Sequence, residues 1–109
     1  MCMGNVSVDM DSVVGSLTLA YYYSLKFKEP YIPVVNCSRA FFPMKLDINM
    51  HLEQHKIPPL IFFEEDIKHC GNILDVSLID HNKLDQSQEA LLGPKVTKII
   101  DHHIDSQSY

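Results

Sequence analysis

No run of this chain is apolar for the roughly 18–20 residues that a bilayer-spanning helix needs, and the first residues lack the charged-then-apolar order of a secretory signal. Neither a membrane segment nor export is expected. Cysteine is scarce: Cys2, Cys37 and Cys70 lie far apart and form no C-x-x-C pair, which argues against a disulfide framework and against a zinc ribbon. A reducing, cytoplasmic setting follows as the expectation. Basic residues are few, nine against fourteen acidic, for a formal net charge of −5, and they do not cluster. That balance argues against a nucleic-acid groove and against a polybasic membrane patch. Internal repeats, low-complexity tracts and interdomain linkers are lacking as well.

What remains is a chain of 109 residues, 46% hydrophobic, enough for a real core in one small domain spanning residues 1–109. Its acidic balance suits a site that gathers carboxylates around cations. Met1-Cys2-Met3 reads as a buried strand running into a turn at Gly4-Asn5, with little room for anything earlier. Asp11 or Ser12 can cap a helix to about Phe27, apolar on most sides and so expected to be mostly buried. Tyr31–Val35 reads as a second strand, Leu46–Lys56 as a helix closed by Pro58-Pro59, and Leu60–Phe63 as a third strand. Ile73–Ile79 is a fourth strand, Gln86–Leu92 a brief helix, and Val96–Ile100 a fifth strand. The alternation predicts an α/β fold, a parallel sheet of about five strands flanked by helices.

Three polar clusters share one topological position. Asn5 to Ser12 follows the first strand, Asp80-His81-Asn82 the fourth, and Asp101-His102-His103 the fifth. In an open parallel sheet the carboxyl ends of the strands line the ligand crevice, so the three clusters are expected to converge there. Asp9, Asp11 and Asp80 then supply hard oxygen ligands and His102 an imidazole, a set suited to Mn²⁺, Mg²⁺ or Co²⁺. Each cluster alone has a plainer reading. A D-x-D pair is commonly a helix cap with a solvated neighbour, and strands often end in polar turns. Asp-His-His after Val96–Ile100 is harder to explain by packing, because it sets three costly polar groups at the mouth of a strand read as buried.

Gly4-Asn5, Asp9-Met10-Asp11-Ser12, Asp80-His81-Asn82 and Asp101-His102-His103, in this order, resemble the motif set of the DHH phosphoesterase superfamily, in its exopolyphosphatase/prune branch. Tyr31 to Arg39, with Phe42-Pro43 and Leu46-Asp47, resembles that branch's second strand and the segment after it. The resemblance implies an N-terminal DHH domain and two divalent metal ions, Mg²⁺ or Mn²⁺, with Co²⁺ as a further option. Asp9 and Asn5 would face one ion, Asp11 and His102 the other, and Asp80 would bridge them. His103 would contact the substrate phosphate, and Asp101 would orient the pair. Arg39 has a fork that matches phosphate, and it suits a surface ion pair equally well. Asn5 stands where family II inorganic pyrophosphatases have His, which shifts preference toward harder ions.

The implied activity is metal-dependent phosphoanhydride hydrolysis. Foremost is an exopolyphosphatase releasing terminal phosphate from inorganic polyphosphate through attack of a hydroxide shared by two ions. Alternatives are an inorganic pyrophosphatase, a prune-like nucleotide phosphodiesterase, or a non-catalytic protein-interaction domain. Family members carry a fourth metal-binding Asp and a C-terminal domain beyond the DHH motif. The chain is accordingly expected to be a fragment with an incomplete site and weak activity of its own, its missing partner being that C-terminal domain.

Other signals carry less. His51-x-Glu53-x-His55 puts the acid off the position of a zincin base and reads as a solvated helix face. His69-Cys70 reads as a loop feature and Glu64-Glu65-Asp66 as a solvated turn. Tyr21-Tyr22-Tyr23 fans out over about 200° of a helix and cannot form one stacking platform.

Overall fold

Five short strands, β1 (Cys2–Met3), β2 (Pro33–Val35), β3 (Phe62–Phe63), β4 (Val76–Ile79) and β5 (Val96–Ile100), pair in parallel in the spatial order β3-β2-β1-β4-β5. Between them run helices α1 (Met10–Phe27), α2 (Leu46–Gln54) and α3 (Gln86–Leu92), with 3₁₀ turns at Phe42–Met44, Glu64–His69 and Gly93–Lys95. The computed structural model describes residues 1–56, 61–71, 73 and 75–109. The expected parallel α/β sheet flanked by helices is what the chain forms.

Strand alternation sorts the core into two layers. On one face Cys2 meets Ala20 and Tyr23 of α1, and Val35 and Phe63 meet Val13 of α1 with Ile48 and Leu52 of α2. On the other face Met3, Val34, Val76 and Leu78 pack on Ile67, Leu84 and Leu92. The chain therefore winds outward from β1 to β3, returns across β1 to β4, and winds outward again to β5. Between β1 and β4 lies the point where strand order reverses, which is where open α/β sheets hold their ligands.

Several elements differ from expectation. Asp9, not Asp11 or Ser12, caps α1, its carboxylate accepting from Ser12 N at 3.1 Å. The helix starts sooner because Asp9 alone has the extended backbone a cap requires. Nor is α1 mostly buried: Tyr21, Tyr22, Leu25 and Phe27 are exposed, since the sheet covers only one side of the helix. Nor is β5 buried as its apolar run suggests: Ile100 is 53% exposed, because β5 ends the sheet. Strand β2 starts at Pro33 and β4 at Val76, later than their apolar runs, and α2 stops at Gln54. Glu64-Glu65-Asp66 opens a 3₁₀ turn, where the Asp66 carboxylate accepts from Phe63 N at 2.8 Å. Pro58-Pro59, Leu60 and Leu74, assigned above to a helix stop and to two strands, lie outside the described residues.

Gly4 makes the close approach of β1 and α1 feasible. A Cβ there would lie 2.9 Å from Ser12 O and 3.0 Å from both Ser12 Cβ and Ser16 Oγ. The first turn of α1, and with it the first polar cluster, is seated directly against the end of β1.

Candidate metal centre

At the reversal point Asn5 leaves β1 and Asp80 leaves β4 side by side. Asn5 Nδ2 donates to Asp80 O at 2.8 Å, tying the two strand ends together. Ser12 completes the seam: its Oγ accepts from Asn5 N at 3.1 Å and donates to Asp80 Oδ2 at 3.1 Å. Asp80 sits at φ 63° and Val8 at φ 49°, in the left-handed region that is costly for a β-branched residue. Burial of Val8 in the core opposes that cost, and both strained residues flank the crevice.

The third cluster meets the second. His102 Nε2 lies 2.9 Å from Asp80 Oδ1, and His103 Nδ1 lies 2.5 Å from Asp101 Oδ1. Among the described residues, Asp80, Asp101, His102 and His103 form the group able to hold a metal ion, each offering a ligand atom within 4.8 Å of the others. The two carboxylates are the sheltered partners, with side chains 5% and 4% exposed, and the imidazoles are open, at 74% and 49%. Mixed carboxylate and imidazole donors, two of them withdrawn from water and close to one another, fit a borderline-hard divalent cation. Positive charge relieves the repulsion that such packing creates.

Electrostatics follow from the same contacts. Burial works to raise the Asp101 carboxyl, yet hydrogen bonds from His103, Asn82 and His102 pull it down to about 2. Its carboxylate in turn holds the His103 ring above the ordinary imidazole value. Burial also works to raise Asp9, but the Ser12 N–H donated to its carboxylate outweighs it, for a net lowering. His81 is pushed down by burial; its Nδ1 meets Ile79 O at 3.0 Å, and its buried Nε2 lacks a partner among the described residues.

The expected residues are thus unevenly placed. Asp80, His102, Asp101 and His103 converge. Asp9 caps α1 through Oδ1 beside Asp80, and Asn5 uses its amide nitrogen as a strand clamp, its Oδ1 making, among the described residues, a long 3.5 Å contact to Ser7 N. Asp11 is exposed in the first turn of α1, outside the four-residue group. Arg39, expected either at phosphate or in a surface pair, forms the pair: its guanidinium bonds Asp66 at 2.5 Å and lies over the Phe63 ring at 4.8 Å. Sequence reasoning offers Ser12 only as a helix cap and Asn82 only as a motif member, and gives neither a role in the site. Ser12 was discoverable as a small hydroxyl in a helix's first turn, where burial without a partner would be costly.

The order and spacing of these motifs can be compared with known proteins. Exopolyphosphatase PRUNE1 of Mus musculus is 33% identical over 98% of this chain and 25% of its own length. Exopolyphosphatase PRUNE1 of Homo sapiens is 35% identical over 92% of this chain and 23% of its own. The chain fits a fragment of the DHH family. It spans about a quarter of the length of the curated relatives it matches. No family model matches it, and no solved structure does. Asp101, His102 and His103 form three of the four members of the metal-capable group. No helix is long and apolar enough among the described residues to cross a membrane.

Proposed function

We propose that this chain carries the cation-dependent phosphoanhydride hydrolysis site of an exopolyphosphatase-type DHH protein, acting on the terminal phosphate of inorganic polyphosphate. The observation behind it is the convergence of Asp80, Asp101, His102 and His103 at the β1/β4 reversal point. The names of the relatives supply the substrate class. Asn5 Oδ1, Asp9, Asp11, Asp80 and His102 would hold two divalent cations, Mg²⁺ or Mn²⁺. When bound, such ions supply acidified water and neutralise phosphoryl oxygens.

The remaining steps belong to side chains. Ser12 holds Oδ2 of Asp80, which leaves Oδ1 facing the histidines. The Asp101 carboxylate accepts a hydrogen bond from His103 Nδ1–H and raises the proton affinity of the ring, so that Nε2 can take up a proton and, in the imidazolium, donate it to a phosphoryl oxygen as charge builds on the leaving phosphate. Arg39 is left out of the substrate contacts because Asp66 occupies its fork.

The test is phosphate release from polyphosphate and from pyrophosphate with Mg²⁺, Mn²⁺ or Co²⁺, by this chain alone and by this chain joined to the remaining three quarters of the mouse relative. Slow release by the chain alone, fast release by the hybrid and its loss on Asp80→Ala are expected. A hybrid that binds Mn²⁺ but releases phosphate from neither substrate would move the assignment to a nucleotide phosphodiester or to an interaction role.

A further inference from the structure

Asn82 is neither an assigned ligand nor a substrate contact, yet all four of its hydrogen bonds named here join the loop after β4 to the segment after β5. Its Nδ2 donates to Asp101 Oδ2 at 2.7 Å and to Ile104 O at 3.0 Å. Its Oδ1 accepts from Ser106 N at 2.9 Å, and its backbone carbonyl accepts from Ser106 Oγ at 3.2 Å. Both amide hydrogens and the amide oxygen are therefore committed. Turning the amide over would set its oxygen against a carboxylate and a carbonyl, so its orientation is determined by its partners.

The consequence falls on Asp101. One carboxylate oxygen receives Asn82, and the other receives the backbone N–H groups of His102 and His103 and the His103 ring. Which way the carboxylate faces decides which ring nitrogen of His103 keeps its proton, because the hydrogen bond made at one imidazole nitrogen sets the state of the other. We infer that Asn82 is a positioning residue: by holding Oδ2 of Asp101 it turns Oδ1 onto His103 Nδ1 and keeps neutral His103 in its Nδ1–H form, with Nε2 free. The catalytic meaning of that form rests on the function proposed above. The geometry itself does not.

Asn82→Asp keeps the shape of the side chain and an acceptor for Ser106 N, but removes the donor to Asp101 and sets a second carboxylate beside it. Long-range proton–nitrogen NMR on the neutral form of His103 reads the two ring tautomers directly. The chain as it stands should show mainly Nδ1–H. In Asn82→Asp and Asn82→Ala the ratio of Nδ1–H to Nε2–H should fall by about threefold, a fraction of one hydrogen bond's net contribution, while the amides of β4 and β5 stay protected. Should Asn82→Ala unfold the chain, the isosteric variant still decides. An unchanged ratio in Asn82→Asp, or a starting chain already in the Nε2–H form, overturns the inference. If the ratio falls as expected but the hybrid enzyme is inert on polyphosphate and pyrophosphate, Asn82 keeps its role and the proposed substrate is what fails.

Discussion

Removing the hydroxyl of Ser12 should destabilise the chain far more than its size suggests. Ser12 is 2% exposed, and its Oγ is at once the acceptor for Asn5 N and the donor to Asp80 Oδ2. Ser12→Ala leaves the Asn5 backbone N–H and a carboxylate oxygen of Asp80, itself 5% exposed, without their partner. An orphaned buried group costs about 1–3 kcal/mol, and the better helix propensity of Ala returns only about 0.5 kcal/mol. A net loss of about 2–4 kcal/mol is a large share of the roughly 5–15 kcal/mol that holds a small domain, and it converts to a fall in Tm of roughly 10–30 °C. Ser16→Ala is the internal control. Ser16 is equally buried, but its hydroxyl donates only to Ser12 O at 2.7 Å, one turn back in the same helix, so its loss orphans no charged group. That change should cost about 0.5 kcal/mol. Urea unfolding of the two variants in metal-free buffer, followed by circular dichroism, makes the comparison. If Ser12→Ala costs no more than Ser16→Ala, the seam between β1, α1 and β4 does not carry the load assigned to it.

Gly4→Ala should cost about 1–3 kcal/mol, because the added methyl meets the backbone oxygen of Ser12 and cannot be relieved by a rotamer change; a thermal melt measures it. The acid limb of stability should depend on Asp101. Its folded-state pKa, about 2, lies below the unfolded value, so its contribution is complete above about pH 4 and is lost as pH falls toward 2. Asp101→Asn should flatten that limb in a series of urea titrations. Mn²⁺ should raise the Tm of the chain in proportion to the logarithm of its concentration above the dissociation constant. Asp80→Asn should abolish the rise and His51→Ala should leave it intact, since His51 lies on α2, outside the metal-capable group. Equal losses from the two would mean that the wrong cluster has been chosen.

Much of this protein is local and therefore readable along the chain. Apolar runs separated by helical stretches specify a parallel α/β sheet, and the three polar clusters stand at strand ends because a strand that enters a loop must leave its apolar neighbours. Asp101 to His103 could be picked out that way, as could Asp80. The cap of α1 was misplaced by two or three residues because Asp9 and Asp11 are chemically alike, and only the extended backbone at Asp9 separates them. Exposure was misjudged for α1 and β5 for a single reason. Hydrophobicity records what a segment is able to bury, whereas burial depends on what packs against it.

Sequence by itself names the residue types of the candidate site and their order, since ligand chemistry is a property of individual side chains. Tertiary structure decided their pairing. The sheet order β3-β2-β1-β4-β5 sets Asn5 against Asp80 across 75 positions of sequence, and Ser12 against Asp80 across 68. It also gave Arg39 to Asp66 and made Asn82 the link between Asp101 and the segment that follows. No spacing rule contains those contacts, because they arise from the order in which strands lie side by side, which the chain sets only once it is folded.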